Sequence, residues 1–241
     1  MTEREDMKRI LITNDDGIRA SGLVRLAEAA RAFGEVTVIA PESERSAQAH
    51  SIIITEPLEL VPYAFPVSGV TAWSCSGTPS DCVSAGLGYL FQEPPDLVLS
   101  GINYGNNLAS DIQYSGTVGA ALEAAHEGVP AIAVSEAADR DHSVTDRYLA
   151  EVLSGLMDLQ PGRDIIINVN FPAGYCRGIL TGRTVSAGSL HRSSYRLTES
   201  QPENSLRLTS DLKSDETGEE GSDLRAILEH FISIGYVRNV G

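Results

Sequence analysis

The chain has 241 residues, 42% hydrophobic and 21% charged, enough for one large α/β domain and too apolar for global disorder. Its net charge of −15 argues against nucleic acid as a surface-bound partner, since there is no basic stripe to displace counterions. A small phosphorylated substrate stays open, because a bound cation inverts the charge of a site locally. No apolar run reaches the length of a membrane span, and residues 1–7 are polar and charged, so neither a membrane partner nor a leader is expected. Cys75, Cys82 and Cys176 have no metal-ligand spacing. They fit a reduced, cytoplasmic compartment and read as small buried hydrophobes.

Residues 10–13 form a short, continuously apolar run that predicts a central parallel strand. It delivers Asn14-Asp15-Asp16-Gly17 at its end. Two adjacent carboxylates and a glycine between strand and helix suit a hard divalent cation such as Mg²⁺ or Mn²⁺. Leu23, Leu26, Ala27, Ala30 and Phe33 make a helical stripe, and Gly34 reads as its stop. Residues 36–40 form a second buried strand, completing a βαβ unit. The polar loop 41–51 lies at the carboxyl end of that strand, where ligands of open α/β sheets collect. Ser46 is its candidate ligand, or a support for one; a loop serine is otherwise an ordinary turn former.

Residues 52–60 and 67–75 predict two further strands. Thr78 reads as the N-cap of a helix over 79–90, with Pro79 at its first position and Asp81 in its first turn. Residues 96–100 predict another buried strand. Behind it come Asn103, Asn106 and Asn107, whose amides either bind phosphate oxygens or tolerate left-handed turns. Ser115-Gly116-Thr117 precedes an Ala-rich helix over 118–127. Free N–H groups there offer an anion site, and ordinary N-capping explains them equally well. Residues 130–135 and 165–172 predict strands, with a helix over 144–159 between them. From 173 the βα pattern fails. Short β-like pieces are expected at 178–185 and 205–209, and an acidic loop at 213–221. Residues 224–237 fit helix or strand.

Singly these motifs are weak, but all follow separate strands of one inferred parallel sheet. Asn14-Asp15-Asp16-Gly17, Arg45-Ser46 with His50-Ser51, Gly77-Thr78-Pro79-Ser80-Asp81-Cys82, the run from Ser100 to Leu108, and Tyr114-Ser115-Gly116-Thr117-Val118 together resemble the SurE family of 5′/3′-nucleotidases. The resemblance runs from residue 8 to about 172. It implies a Rossmann-like three-layer α/β/α core over 1–172, with a mostly parallel sheet. Residues 173–241 are then a β-rich C-terminal extension for oligomerisation and substrate-side contacts. It also implies Asp15, Asp16, Ser46 and Asn103 as ligands of Mg²⁺ or Mn²⁺, with Asp15 and Asp16 catalytic. Asn103, Asn106, Ser115, Gly116 and Thr117 would bind substrate phosphate. The implied protein is a cytoplasmic homodimer or homotetramer that hydrolyses nucleoside monophosphates and short polyphosphate. Two alternatives stay open: a haloacid-dehalogenase-type phosphatase, which wants Asp-x-Asp, and a non-catalytic nucleotide-binding protein of the same fold.

Overall fold

The computed structural model describes residues 7–188, 191–200, 206–214 and 217–239. Its centre is a nine-stranded sheet in the order β3-β4-β2-β1-β5-β6-β7-β11-β8. The strands are β1 Lys8–Thr13, β2 Gly34–Pro41, β3 Leu60–Pro62, β4 Thr71–Cys75, β5 Leu97–Tyr104, β6 Ala131–Glu136, β7 Ile165–Phe171, β8 Ile179–Arg183 and β11 Ile232–Arg238. From β4 to β7 every neighbouring pair is parallel. β3 runs antiparallel to β4 at one edge, and β11 antiparallel to β7 near the other. β9 His191–Ser200 and β10 Leu206–Ser214 form a separate antiparallel pair.

Side-chain alternation sorts the core into two layers. Ile10 and Ile12 of β1, Val36 and Val38 of β2, and Leu97 and Leu99 of β5 pack with α1 Ser21–Ala30 and α4 Ser143–Leu156. The intervening Leu11, Ile39 and Val98 face the opposite way, onto α2 Pro79–Ala85 and α3 Gly116–His126. A sheet buried on both faces needs near-continuous apolar strands, which these are. The result is the three-layer α/β/α arrangement with a mostly parallel sheet that the sequence implied.

Several expectations need correcting. Gly34 does not stop α1, which ends at Ala30; it opens β2. A Cβ there would lie 2.0 Å from the Lys8 carbonyl, so the glycine serves a close approach of β1 and β2. Residues 52–59 form no strand. Ile53 N–H binds the Asp81 carboxylate and Thr78 Oγ1 donates to the Ser51 carbonyl, so this strap is pinned to α2 rather than to a ladder. The helix from Pro79 is α-helical only to Ala85 and continues as a π-helix over Gly86–Leu90. Its predicted N-cap holds: Thr78 and Asp81 make a reciprocal capping box. Residues 224–237 are both helix and strand: α5 Asp223–Leu228, then β11. The predicted β-piece at 205–209 is the start of β10, with residue 205 outside the described residues. The acidic loop lies partly outside them, at 215 and 216.

Candidate active site

β1 ends at Thr13, and the chain turns at once through Asn14, whose side chain clasps Gly17 in both directions. Gly17 needs its φ of +97° for this turn. The turn leaves Asp15 4% exposed and Asp16 half-buried at the carboxyl edge of the sheet. Three other segments come to this pair. β5 brings the Tyr104 N–H to Asp16 Oδ2 at 3.2 Å, next to Asn103. The 42–50 loop brings the Arg45 N–H to the Asp15 carbonyl at 2.7 Å, next to Ser46. Helix α3 brings Thr117 Oγ1, which donates to Asp15 Oδ1 at 2.6 Å.

Burial pushes the Asp15 carboxyl above its usual range, against the opposing pull of the Thr117 hydroxyl and the Gly116 and Thr117 N–H groups. Burial, then the adjacent Asp15 charge, pushes Asp16 up to about 6, with Glu44 and Glu136 adding to it. Two carboxylates crowded this way are short of positive charge. The Asn103 amide N–H₂ donates to the Gly105 carbonyl at 2.6 Å, which leaves its Oδ1 as an acceptor. Ser46 Oγ donates to Glu44 Oε1 at 2.8 Å and keeps its lone pairs. Among the described residues no three His, Cys, Asp or Glu side chains gather as a metal cluster. Two carboxylates with neutral oxygens is instead the donor set Mg²⁺ accepts, the remaining positions going to water and phosphate. The residues present therefore fit a hard divalent cation.

The expected phosphate donors make contacts within the protein as well. The N-terminus of α3 already faces an anion, the Asp15 carboxylate. Ser115 Oγ accepts from Val118 N–H, the ordinary cap that the sequence left open. Gly116 is required by closeness: a Cβ there would lie 2.9 Å from Asp15 Cβ. The Asn106 amide donates to the Phe171 carbonyl at 3.1 Å. Asn107, which the sequence grouped with it, is buried instead. Asn107 N–H binds Asn170 Oδ1 at 2.8 Å, and its carbonyl accepts from Asn168 and Asn170. Two asparagines inside the apolar run of β7 were the available signal for this lock.

A second network escaped sequence reading because its parts are far apart in the chain. The Arg25 guanidinium pairs with Glu136 at 2.7 Å and with Asp146 at 2.6 Å. His142 Nδ1 stands 2.9 Å from Glu136 Oε1, off the line that a hydrogen bond needs. Tyr104 lies edge-on to His142.

Comparison with known proteins bears on this site. A family model described as survival protein SurE matches residues 10–194. A protein of Pelotomaculum thermopropionicum named 5′-nucleotidase SurE is 43% identical over 177 residues, 73% of this chain and 68% of the relative. One of Desulforamulus reducens with the same name is 43% identical over 190 residues, 78% of this chain and 73% of the relative. The crystal structure of the SurE protein from Aquifex aeolicus superposes with a TM-score of 0.78 at 31% identity, covering 95% of this chain and 93% of that one.

Proposed function

We infer the function of this chain from one premise: it belongs to the SurE family. It is a nucleotidase, a phosphoric monoester hydrolase that releases phosphate from nucleoside monophosphates. The reading extends to short polyphosphate as a further substrate. What supports it is convergence: Asn103, Ser46 and Gly116 each stand one residue from a group hydrogen-bonded to Asp15 or Asp16.

Asp15, Asp16, Ser46 and Asn103 would hold the divalent cation, Mg²⁺ or Mn²⁺. Bound there, it would supply Lewis-acid charge neutralisation and a more acidic water. Asp15 is oriented by the Thr117 hydroxyl and walled by α3, so it holds one fixed direction. Asp16 is the less buried of the two and is the carboxylate able to take a proton from solvent. The Gly116 and Thr117 N–H groups face the Asp15 carboxylate, and would stabilise a substrate phosphate beside it only once the cation takes up that carboxylate's charge. Asn106 would act by fixing the 105–108 loop rather than by donating its amide.

Among the described residues no helix is long and apolar enough to cross a membrane. We propose a cytoplasmic setting, resting on the sparse cysteines Cys75, Cys82 and Cys176, which have no disulfide or metal spacing in the sequence. We further propose a homo-oligomer, dimer or tetramer. Its support is the β9–β10 pair, where Tyr195, Leu197, Leu206 and Leu208 are exposed.

A phosphate-release assay on AMP and GMP, with Mg²⁺, Mn²⁺ and chelator, tests the reading. Metal-dependent release that chelator abolishes is expected. No release with any metal would overturn it in favour of nucleotide binding alone.

A further inference from the structure

β5 is buried from Leu97 to Ile102, yet Tyr104, its last residue, is 51% exposed. The ring belongs to neither apolar layer, so folding does not account for it. Its backbone is held on both sides. The Tyr104 N–H is tied to Asp16 Oδ2, and the next amide, Gly105 N–H, donates to the Glu136 carbonyl at 2.9 Å. The register of β5 against β6 slips between Ser100 and Asn103, an irregularity of the kind that re-aims side chains beside active sites. Behind the ring stands His142, with centroids 6.4 Å apart and planes at 66°. His142 is in turn in contact with Glu136, which Arg25 clamps to α1.

A half-exposed aromatic ring thus sits one residue beyond a candidate cation donor, fixed at its backbone and backed on one edge. The charges that act on Asp16, from Asp15, Glu44 and Glu136, are acidic, and Glu136 is itself paired with Arg25. They suit the cation and offer nothing to a neutral heterocycle, whereas the ring offers a neutral face. We propose that the Tyr104 ring, braced by His142, is the platform on which the base of a nucleoside monophosphate stacks while its phosphate lies at Asp15 and Asp16. This rests on the nucleotidase reading and adds the residue that separates nucleotides from other phosphate esters. Every base has a π-face, so such a platform selects for a base without choosing among bases.

The test uses the full chain with Mn²⁺ and the variants Tyr104→Ala and Tyr104→Phe. Each is assayed on AMP and on ribose 5-phosphate, which keeps the sugar and phosphate and lacks the base. Calorimetric titration with the same two compounds gives affinities alongside kcat and KM. Stacking is worth about 1–3 kcal/mol per base, so Tyr104→Ala should lower the AMP to ribose 5-phosphate ratio of kcat/KM about 5- to 150-fold. The loss should fall in KM and AMP affinity rather than kcat, and Tyr104→Phe should keep the wild-type ratio. An unchanged ratio in Tyr104→Ala, including equal losses on both esters, overturns the platform and leaves the nucleotidase reading standing. A wild-type chain that hydrolyses neither ester overturns both.

Discussion

Asp15 and Asp16 are adjacent in sequence but differ in surroundings. Asp15 is buried against Gly116 and held by the Thr117 hydroxyl, while Asp16 is more open and held by one backbone N–H. Both carboxyls are pushed up, so removing either charge should relieve strain rather than create it. Asp16→Asn is therefore predicted to abolish metal-dependent phosphate release while leaving the Tm unchanged or higher without metal. Thermal melts beside the activity assay check this; a clear fall in Tm would show that Asp16 is structural. Thr117→Val removes the only hydroxyl bonded to Asp15 among the described residues and leaves a buried oxygen short of a donor, at a cost of about 1–3 kcal/mol. Denaturant unfolding should show that loss together with weaker Mn²⁺ binding. The Asp-Asp-Gly turn was legible in the sequence because a strand pattern ran into it. The Thr117 bond was not, because it spans 102 positions and no local pattern encodes such a contact.

Helix α3 is the element that assembles the site. Its N-terminus faces Asp15, and its middle is tied to two neighbours through Glu123, which accepts from Ser84 on α2 at 2.5 Å and meets His50 Nε2 at 2.6 Å. Gly119 lets the 42–50 loop lie on it, since a Cβ there would come within 2.6 Å of the Ala49 carbonyl. Gly116→Ala would raise intrinsic helix propensity by up to about 1 kcal/mol. Here it should instead displace Asp15, giving a large loss of Mn²⁺ affinity with the helix intact by circular dichroism. His50, then the Ser84 hydroxyl, holds the Glu123 carboxyl below its ordinary 4.5. A carboxyl lowered on folding stabilises above its unfolded pKa, and that contribution disappears as pH falls through the folded value. Wild type should thus melt above Glu123→Gln at pH 7, and the gap should close below about pH 4.5. A gap that persists in acid would mean the contact acts by packing alone. The sequence revealed α3 by its Ala-rich run and gave its anion-binding start two readings. The structure adds a third, in which the anion is the protein's own carboxylate.

At the scale of the molecule, the parallel strands were readable as apolar runs between Gly, Pro and Asn, and their order brings every motif to one edge. What resisted reading lies at both margins of the sheet. Residues 52–59 look β-prone yet are held by side chains of α2, and 224–237 change from helix to strand within one apolar segment. Local periodicity cannot report either, since tertiary contacts decide both. The segment after Phe171 returns to the same sheet through β8 and β11, and Asp223 binds the Ala109 and Ser186 N–H groups, joining it to the 105–110 loop. On the β9–β10 pair, Leu197 lies opposite Leu208 and both are exposed. If a second copy covers them, Leu197→Lys with Leu208→Lys should lower the mass seen by light scattering toward that of one chain, and an unchanged mass would place the contact elsewhere.

The most direct measurement is anomalous diffraction from a crystal soaked in Mn²⁺. The account predicts one ion at about 2.0–2.3 Å from oxygens of Asp15, Asp16, Ser46 and Asn103. An ion bound at other residues, or no ordered ion at saturating Mn²⁺, would contradict it.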